Sequence, residues 1–293
     1  MATAGVEGAP GLKIYALWDM EGTCGIYSRE QAWYWEQGVR DQIPGEARAL
    51  FTADVNAASR AALEAGATDL IVCDTHHGGG NLVRESLLMD GRIMYHYRST
   101  EEENGKRRFM PGLDQTVAGL MLPAHHAKAG TAWAFLPHTN HFEWLDFRIN
   151  GESVGEMGIE ACYAGHWDIP VIFVHGDEAC CNEARRQFPG VVTAVVKQAT
   201  ALEFCTGPDP ETARRGMAVK VAEAIEKARS GKLRPFKTAL PMTVTIQMRT
   251  ADAAAKAAQR PGVLRLDDHT VEGRAGRQCD VMKWITGAGL DMT

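Results

Sequence analysis

Between Leu12 and Ala199 short apolar runs alternate with polar loops and longer periodic segments, and this rhythm leaves few folds open to the chain. The run Lys13-Ile14-Tyr15-Ala16-Leu17-Trp18 and those over 69–73, 116–122, 170–174 and 191–197 have the length and residue types of buried strands. Between them, 47–65 is Ala-rich and stops at Gly66, 153–165 ends on a glycine, and 181–187 has helical spacing. Strands alternating with helices predict an α/β fold, a mostly parallel central sheet flanked by helices, because each parallel connection needs a crossover long enough to hold a helix.

The pattern changes after a long helix predicted over 210–229, with Asp209 as its cap, Pro210 at its first position and Gly231 beyond its end. A proline at each end of 235–241 marks a boundary. Beyond it, a strand at 242–248, a helix at 251–259, a strand at 262–266, a charged turn and a helix at 280–285 read as a small C-terminal α+β unit. The expected organisation is an α/β domain over 12–234 and a small α+β domain over 235–293.

Three predicted strands finish in side chains able to hold a metal. Asp19 and Glu21 follow the first and, two residues apart in extended backbone, project to the same side. Two carboxylates so placed repel unless a cation lies between them. The second strand runs into Asp74-Thr75-His76-His77 and three glycines, the third into His125-His126, and at most one histidine of each pair is expected to face inward. The glycine run is no P-loop, since no Gly-Lys-Ser or Gly-Lys-Thr follows it. In an open parallel sheet the carboxyl ends of the strands line one crevice, so these residues can meet. Carboxylates with neutral imidazoles suit zinc, with manganese or cobalt as substitutes, and no paired cysteine motif marks a structural zinc site. His138 follows the strand-like run 133–137 and is placed to act as proton donor or base. Glu156, taken alone, reads as a surface charge on a helix. His96, His166, His175 and His269 read as structural.

The 37 acidic and 31 basic side chains give a net charge of −6 with no basic block, which argues against a nucleic-acid partner. Residues 1–11 lack the basic and apolar regions of a secretory signal and read as a tail. No apolar run approaches the roughly 18 residues of a membrane span, so no membrane partner is expected. The seven cysteines are scattered, several within apolar patterns such as Cys73 and Cys162, and Cys180-Cys181 reads as an unpaired couple; this usage fits a reduced cytoplasm.

Taken in order, Asp19-Met20-Glu21-Gly22, Asp74-Thr75-His76, His126-Ala127-Lys128-Ala129-Gly130-Thr131, Leu136-Pro137-His138-Thr139 and Ile149-Asn150-Gly151-Glu152-Ser153-Val154-Gly155-Glu156-Met157-Gly158 resemble the zinc-dependent D-aminopeptidase family, the dipeptide transport protein-type metallo-aminopeptidases. The likeness spans most of the chain. It implies that Asp19 bridges two zinc ions, that Glu21 and His76 complete one and His126 and Glu156 the other, and that His138 is the catalytic histidine. Three carboxylates against two divalent ions leave a local charge of about +1, which favours an anionic nucleophile derived from water. Family members also form ring-shaped homo-oligomers, so one is expected here.

Two segments depart from the family pattern. Asn140-His141-Phe142 and then Trp144 follow His138, and Trp33-Tyr34-Trp35 stands where a polar loop is expected. Such rings serve either to stack a flat or cyclic substrate or as contacts between copies. The leading expectation is thus a two-zinc amide hydrolase, most simply a D-aminopeptidase acting on short peptides. A hydrolase of a small non-peptide or cyclic amide (a lactam) is the alternative, and a peptide-binding protein without catalysis is a further one. A phosphoesterase ranks lower, because no phosphate-clamping arginine cluster accompanies the ligands.

Overall fold

A computed structural model describes residues 11–103, 106–286 and 290–291. The tail expected at 1–11 lies, apart from Gly11, outside the described residues. In chain order the strands are β1 (Lys13–Trp18), β2 (Asp69–Asp74), β3 (Ile93–His96), β4 (Thr100–Glu103), β5 (Lys106–Phe109), β6 (Val117–His125), β7 (Trp144–Ile149) and β8 (Glu152–Val154). They continue as β9 (Val171–Asp177), β10 (Val192–Ala201), β11 (Phe204–Thr206), β12 (Met242–Met248), β13 (Leu264–Arg265), β14 (Thr270–Ala275) and β15 (Leu290–Asp291). The α-helices are α1 (Arg29–Ala32), α2 (Ile43–Glu64), α3 (Glu156–Ala164), α4 (Glu178–Gln187), α5 (Pro210–Arg229), α6 (Ala251–Ala257) and α7 (Lys283–Thr286).

The main sheet has the order β11-β10-β9-β6-β1-β2-β3, and every neighbouring pair is parallel except β10 with β11. The expected α/β fold is therefore present. Alternation along β1 divides the core. Ile14, Ala16 and Trp18 join Phe51 and Val55 of α2 and Met217 and Val221 of α5 on one face, while Tyr15 and Leu17 join Ile159 of α3, Phe147 and Val244 on the other. Burying each such large apolar side chain stabilises the fold by about 1.5–3 kcal/mol. The chain leaves β1 towards β2 and β3 on one side and returns to β6, β9 and β10 on the other, so the topological switch falls between β1 and β6. Open sheets of this kind place ligands at the carboxyl ends of the strands flanking that switch.

The second sheet, β13-β14-β12-β7-β8, is antiparallel and joins segments that lie far apart in sequence. β12 pairs with β7 from Val244 opposite Ile149 to Met248 opposite Trp144, so the boundary expected at 234/235 does not separate two sheets. Three local expectations also need correction. Residues 133–137 form no strand; Trp133 and Leu136 adopt positive φ, and Trp133 is 84% exposed. The helix expected from 153 begins at Glu156, because 152–154 pairs with β7 as a strand and Gly155 serves as the cap. The charged turn after 266 contains β14, whose Val271 and Ala275 face the core while its charged residues alternate outward.

Candidate metal centre

Backbone hydrogen bonds past the ends of β1, β2 and β6 bring the ligand-bearing turns together. Asp19 N donates to Pro123 O (3.1 Å), Gly22 N to Ala124 O (2.7 Å), and Thr75 N to Trp18 O (2.9 Å). The 19–22 turn lies so close to β6 that a Cβ on Gly22 would stand 2.5 Å from the Ala124 carbonyl carbon, and only glycine fits there. At the same place the register of β6 against β9 shifts between Leu122 and His125, and Ala124 takes a positive φ of 59°. Such a bulge re-aims side chains. Both histidines of the pair are buried, but His125 turns to Glu160 (Nε2 to Oε2, 2.8 Å) and His126 to Asp19.

The six residues singled out in the sequence converge. His76 Nδ1 stands 2.7 Å from Asp19 Oδ1 and 3.2 Å from Glu21 Oε2. His126 Nε2 stands 3.3 Å from Asp19 Oδ2 and 3.2 Å from Glu156 Oε1, and His138 Nε2 lies 3.5 Å from that same Glu156 oxygen. Asp19, Glu21 and His76 form one compact triad; Asp19, His126 and Glu156 form a second. Glu156, the first residue of α3, is favoured there by the helix dipole and accepts a hydrogen bond from Asn140 N (2.7 Å).

The outer nitrogen of each imidazole is already committed. His76 Nε2 donates to Ala32 O (2.8 Å), His126 Nδ1 to Ala127 O (3.0 Å) and His138 Nδ1 to Leu136 O (2.9 Å). In the neutral tautomer so fixed, the inner nitrogen presents a lone pair to carboxylate oxygens, and two acceptors need a proton or a cation between them. Glu21 Oε2 and His126 Nε2 are both buried without a hydrogen-bond partner. Zinc ligands about 2.0 Å from a tetrahedral ion stand roughly 3.3 Å from one another, the spacing found at three of these contacts. Carboxylate and imidazole donors so arranged fit zinc.

The carboxylates favour positive charge at this place, whether a proton or a metal ion supplies it. Burial opposes charge on His76, but Glu21 and Asp19 outweigh it and hold the imidazole well above its ordinary range; Glu156 and Asp19 do the same for His126. Burial alone would raise Asp19, yet the His126 and His76 imidazoles beside it hold it well below the usual carboxylate range.

Sequence reasoning missed several supports. Trp33 Nε1 donates to Glu21 Oε1 (2.7 Å), and its ring meets His138 edge-on at 5.5 Å and Phe142 at 4.9 Å. The Trp33-Tyr34-Trp35 departure was the available signal. Lys197, 2% exposed, donates from β10 to Glu21 O (2.7 Å) and Ile26 O (2.5 Å), and nothing in its sequence surroundings announces that. Asn81 brackets Asp74 and donates to His76 O (2.7 Å), fixing the loop that carries His76. His77, at φ 49°, instead stacks on Trp35 (4.0 Å). His96, His166, His175 and His269 lie outside both triads.

An α/β sheet with buried carboxylates and imidazoles gathered at its carboxyl edge defines a protein of the metallohydrolase class. The D-aminopeptidase family model matches residues 12–287, and the chain belongs to that family. A D-aminopeptidase of Bacillus subtilis (strain 168) is 30% identical over 225 residues, which cover 77% of each chain. Among solved structures, the Zn-dependent D-aminopeptidase DppA from Bacillus subtilis, a self-compartmentalizing protease, matches with a TM-score of 0.82 at 26% identity, covering 94% of this chain and 95% of that one.

Proposed function

We propose that this chain is a D-aminopeptidase that holds two zinc ions per subunit and removes the N-terminal residue from short peptides. Asp19 would be shared by the two ions, Glu21 and His76 would hold one of them, and His126 and Glu156 would hold the other. The observation that carries this reading is the pair of triads sharing Asp19, buried except for the partly exposed Glu156, with Glu21 Oε2 and His126 Nε2 buried and making no hydrogen bond. When bound by these residues, zinc would supply a Lewis acid for the peptide carbonyl and would make water acidic enough to react near neutral pH.

The chain's own residues orient the reaction. His138 donates a hydrogen bond from its Nδ1–H to Leu136 O, which leaves Nε2 as the atom that takes up and passes on a proton. The ring is clamped face to face against His126 (3.9 Å) and edge-on against Trp33, so Nε2 keeps its direction. From there it takes up the proton released as water adds to the carbonyl and passes it to the nitrogen of the departing residue as the amide C–N bond breaks. The cavity around the triads is about 950 Å³, ample for a short peptide.

The test combines metal analysis with assay. Wild type should contain near two zinc ions and cleave D-Ala peptides, while His138→Ala should keep its zinc and lose about 10²–10⁴-fold in rate. Metal-free protein unable to take up zinc, or a His138→Ala protein with full turnover, would overturn the reading. The cyclic-amide alternative is favoured by one feature, the rings of Trp33, Trp35 and Phe142 around the same cavity, and it replaces the peptide reading if only cyclic amides turn over.

Assembly into a ring of identical copies is part of this proposal, supported by the 84% exposure of Trp133 and by the self-compartmentalizing neighbour. Sedimentation of wild type as a monomer would remove it. All seven cysteines are free and buried, which supports the expectation of a reducing compartment such as the cytoplasm. Among the described residues no helix is long and apolar enough to cross a membrane.

A further inference from the structure

Two cavities meet at His138. The larger, about 950 Å³, contains Asp19, Glu21, His76 and Glu156; the smaller, about 490 Å³, contains none of them. Trp33, His138, Phe142 and Trp144 line both. The body of the smaller cavity is apolar, supplied by Leu136, Leu145 and Leu202.

Its charges are unequal in a way that selects a ligand. Arg29 is already held by Glu36 (2.7 Å) and Glu203 (2.6 Å). Arg249, on the same wall, gives its Nε to Phe142 O (3.2 Å), and no carboxylate pairs with it among the described residues. The cavity therefore offers an apolar volume with one uncompensated guanidinium, a match for an apolar amino acid bearing a free carboxylate.

We propose that this cavity is the subsite for the departing half of the substrate, and that it selects amides whose leaving amine is a bulky apolar amino acid with a free α-carboxylate. The inference rests on the reading of His138 as proton donor to the leaving nitrogen. The residue carrying that nitrogen must lie against His138, and the smaller cavity begins there. Its side chain packs on Leu136, Leu145 and Leu202 while its carboxylate pairs with Arg249. Water supplies the oxygen of the new acid, the C–N bond breaks, and the amino acid departs as its free amine with no change of oxidation state. The acyl half, with its amino terminus, keeps the larger cavity.

The test compares zinc-loaded protein on D-Ala-Gly, D-Ala-Phe with either configuration at Phe, and the D-Ala-Phe amides. Wild type should favour Phe over Gly, and free acid over amide, each by roughly tenfold or more in kcat/KM. Arg249→Gln should erase the acid-over-amide preference and weaken binding of phenylalanine itself in calorimetry. Leu202→Glu should erase the Phe-over-Gly preference; Leu202 is 64% exposed and Arg249 is exposed, so neither change threatens folding. Equal kcat/KM across the panel would overturn the subsite and leave the aminopeptidase reading intact, whereas failure to cleave any of the peptides would strike that reading instead. If Leu202→Glu alters sedimentation and leaves the Phe preference in place, the face is a contact between copies and the subsite is wrong.

Discussion

Glu21 owes its orientation to two groups outside the triads, the Trp33 indole at its carboxylate and the Lys197 ammonium at its carbonyl. Trp33→Phe should keep the ring against His138 and Phe142 while removing the hydrogen bond, and zinc affinity should fall roughly 10–100-fold in competition with a chromogenic chelator. An unchanged affinity would show that the indole only packs. A second residue-scale prediction concerns His175. Burial lowers its pKa below the ordinary 6.5 even though Asp54 pulls the other way. The unfolded chain takes that proton near 6.5 while the folded chain refuses it until lower pH, so this stability is complete above 6.5 and is lost as pH falls through the folded value. Urea unfolding from pH 7.5 to 5 should therefore show a shallower acid limb for His175→Gln than for wild type; parallel limbs would sink the argument. At this scale Asp19, Glu21, His76 and His126 were legible because strand ends in a parallel sheet converge. Trp33 and Lys197 were not, because their role depends on which loop folds back over which strand.

Elements announced by local chemistry were readable, and those made by distant pairing were not. α5 has the expected Asp209 cap, its carboxylate accepting from Thr212 N, with Pro210 next, and α2 ends ahead of Gly66 as expected. β7 and β8 are short and mixed in polarity; β8 pairs with β7 as a hairpin, and β7 is held in the sheet by β12, which arrives from about a hundred residues later. Asn150, in the β7–β8 turn at φ 50°, holds that arrangement. Its side chain donates to Thr238 Oγ1 (2.7 Å) and Ala239 O (2.9 Å) and accepts from Thr243 N (2.8 Å), pinning the segment before β12. Asn150→Ala forfeits these bonds and puts alanine in a left-handed conformation, at a cost of about 1–3 kcal/mol. Urea unfolding should report that loss, and tryptic cleavage after Lys237 should accelerate; wild-type stability together with wild-type cleavage would show that the segment is held by other contacts.

At the scale of the whole molecule, the centre ties together segments that only the complete fold brings into range: the turns after β1, β2 and β6 and the start of α3. On the two-zinc proposal an unfolded chain offers no comparable cage, so zinc would bind the folded state almost alone and would stabilise it by mass action, by about 2.7 kcal/mol per site at a hundredfold excess over Kd. For a chain of this size that corresponds to a rise on the order of 4–5 °C in Tm per ion. Chelated wild type should melt lower by up to twice that amount and recover on addition of zinc. The shared position of Asp19 makes the prediction specific. Glu156 belongs to one triad only, so Glu156→Gln should keep about half of the zinc-dependent rise, whereas Asp19→Asn, which weakens both triads, should lose nearly all of it. Scanning calorimetry with and without zinc distinguishes the cases: equal rises in the two variants would mean that Asp19 does not bridge, and no rise in wild type would mean that the buried carboxylates and imidazoles are balanced by protons rather than by metal.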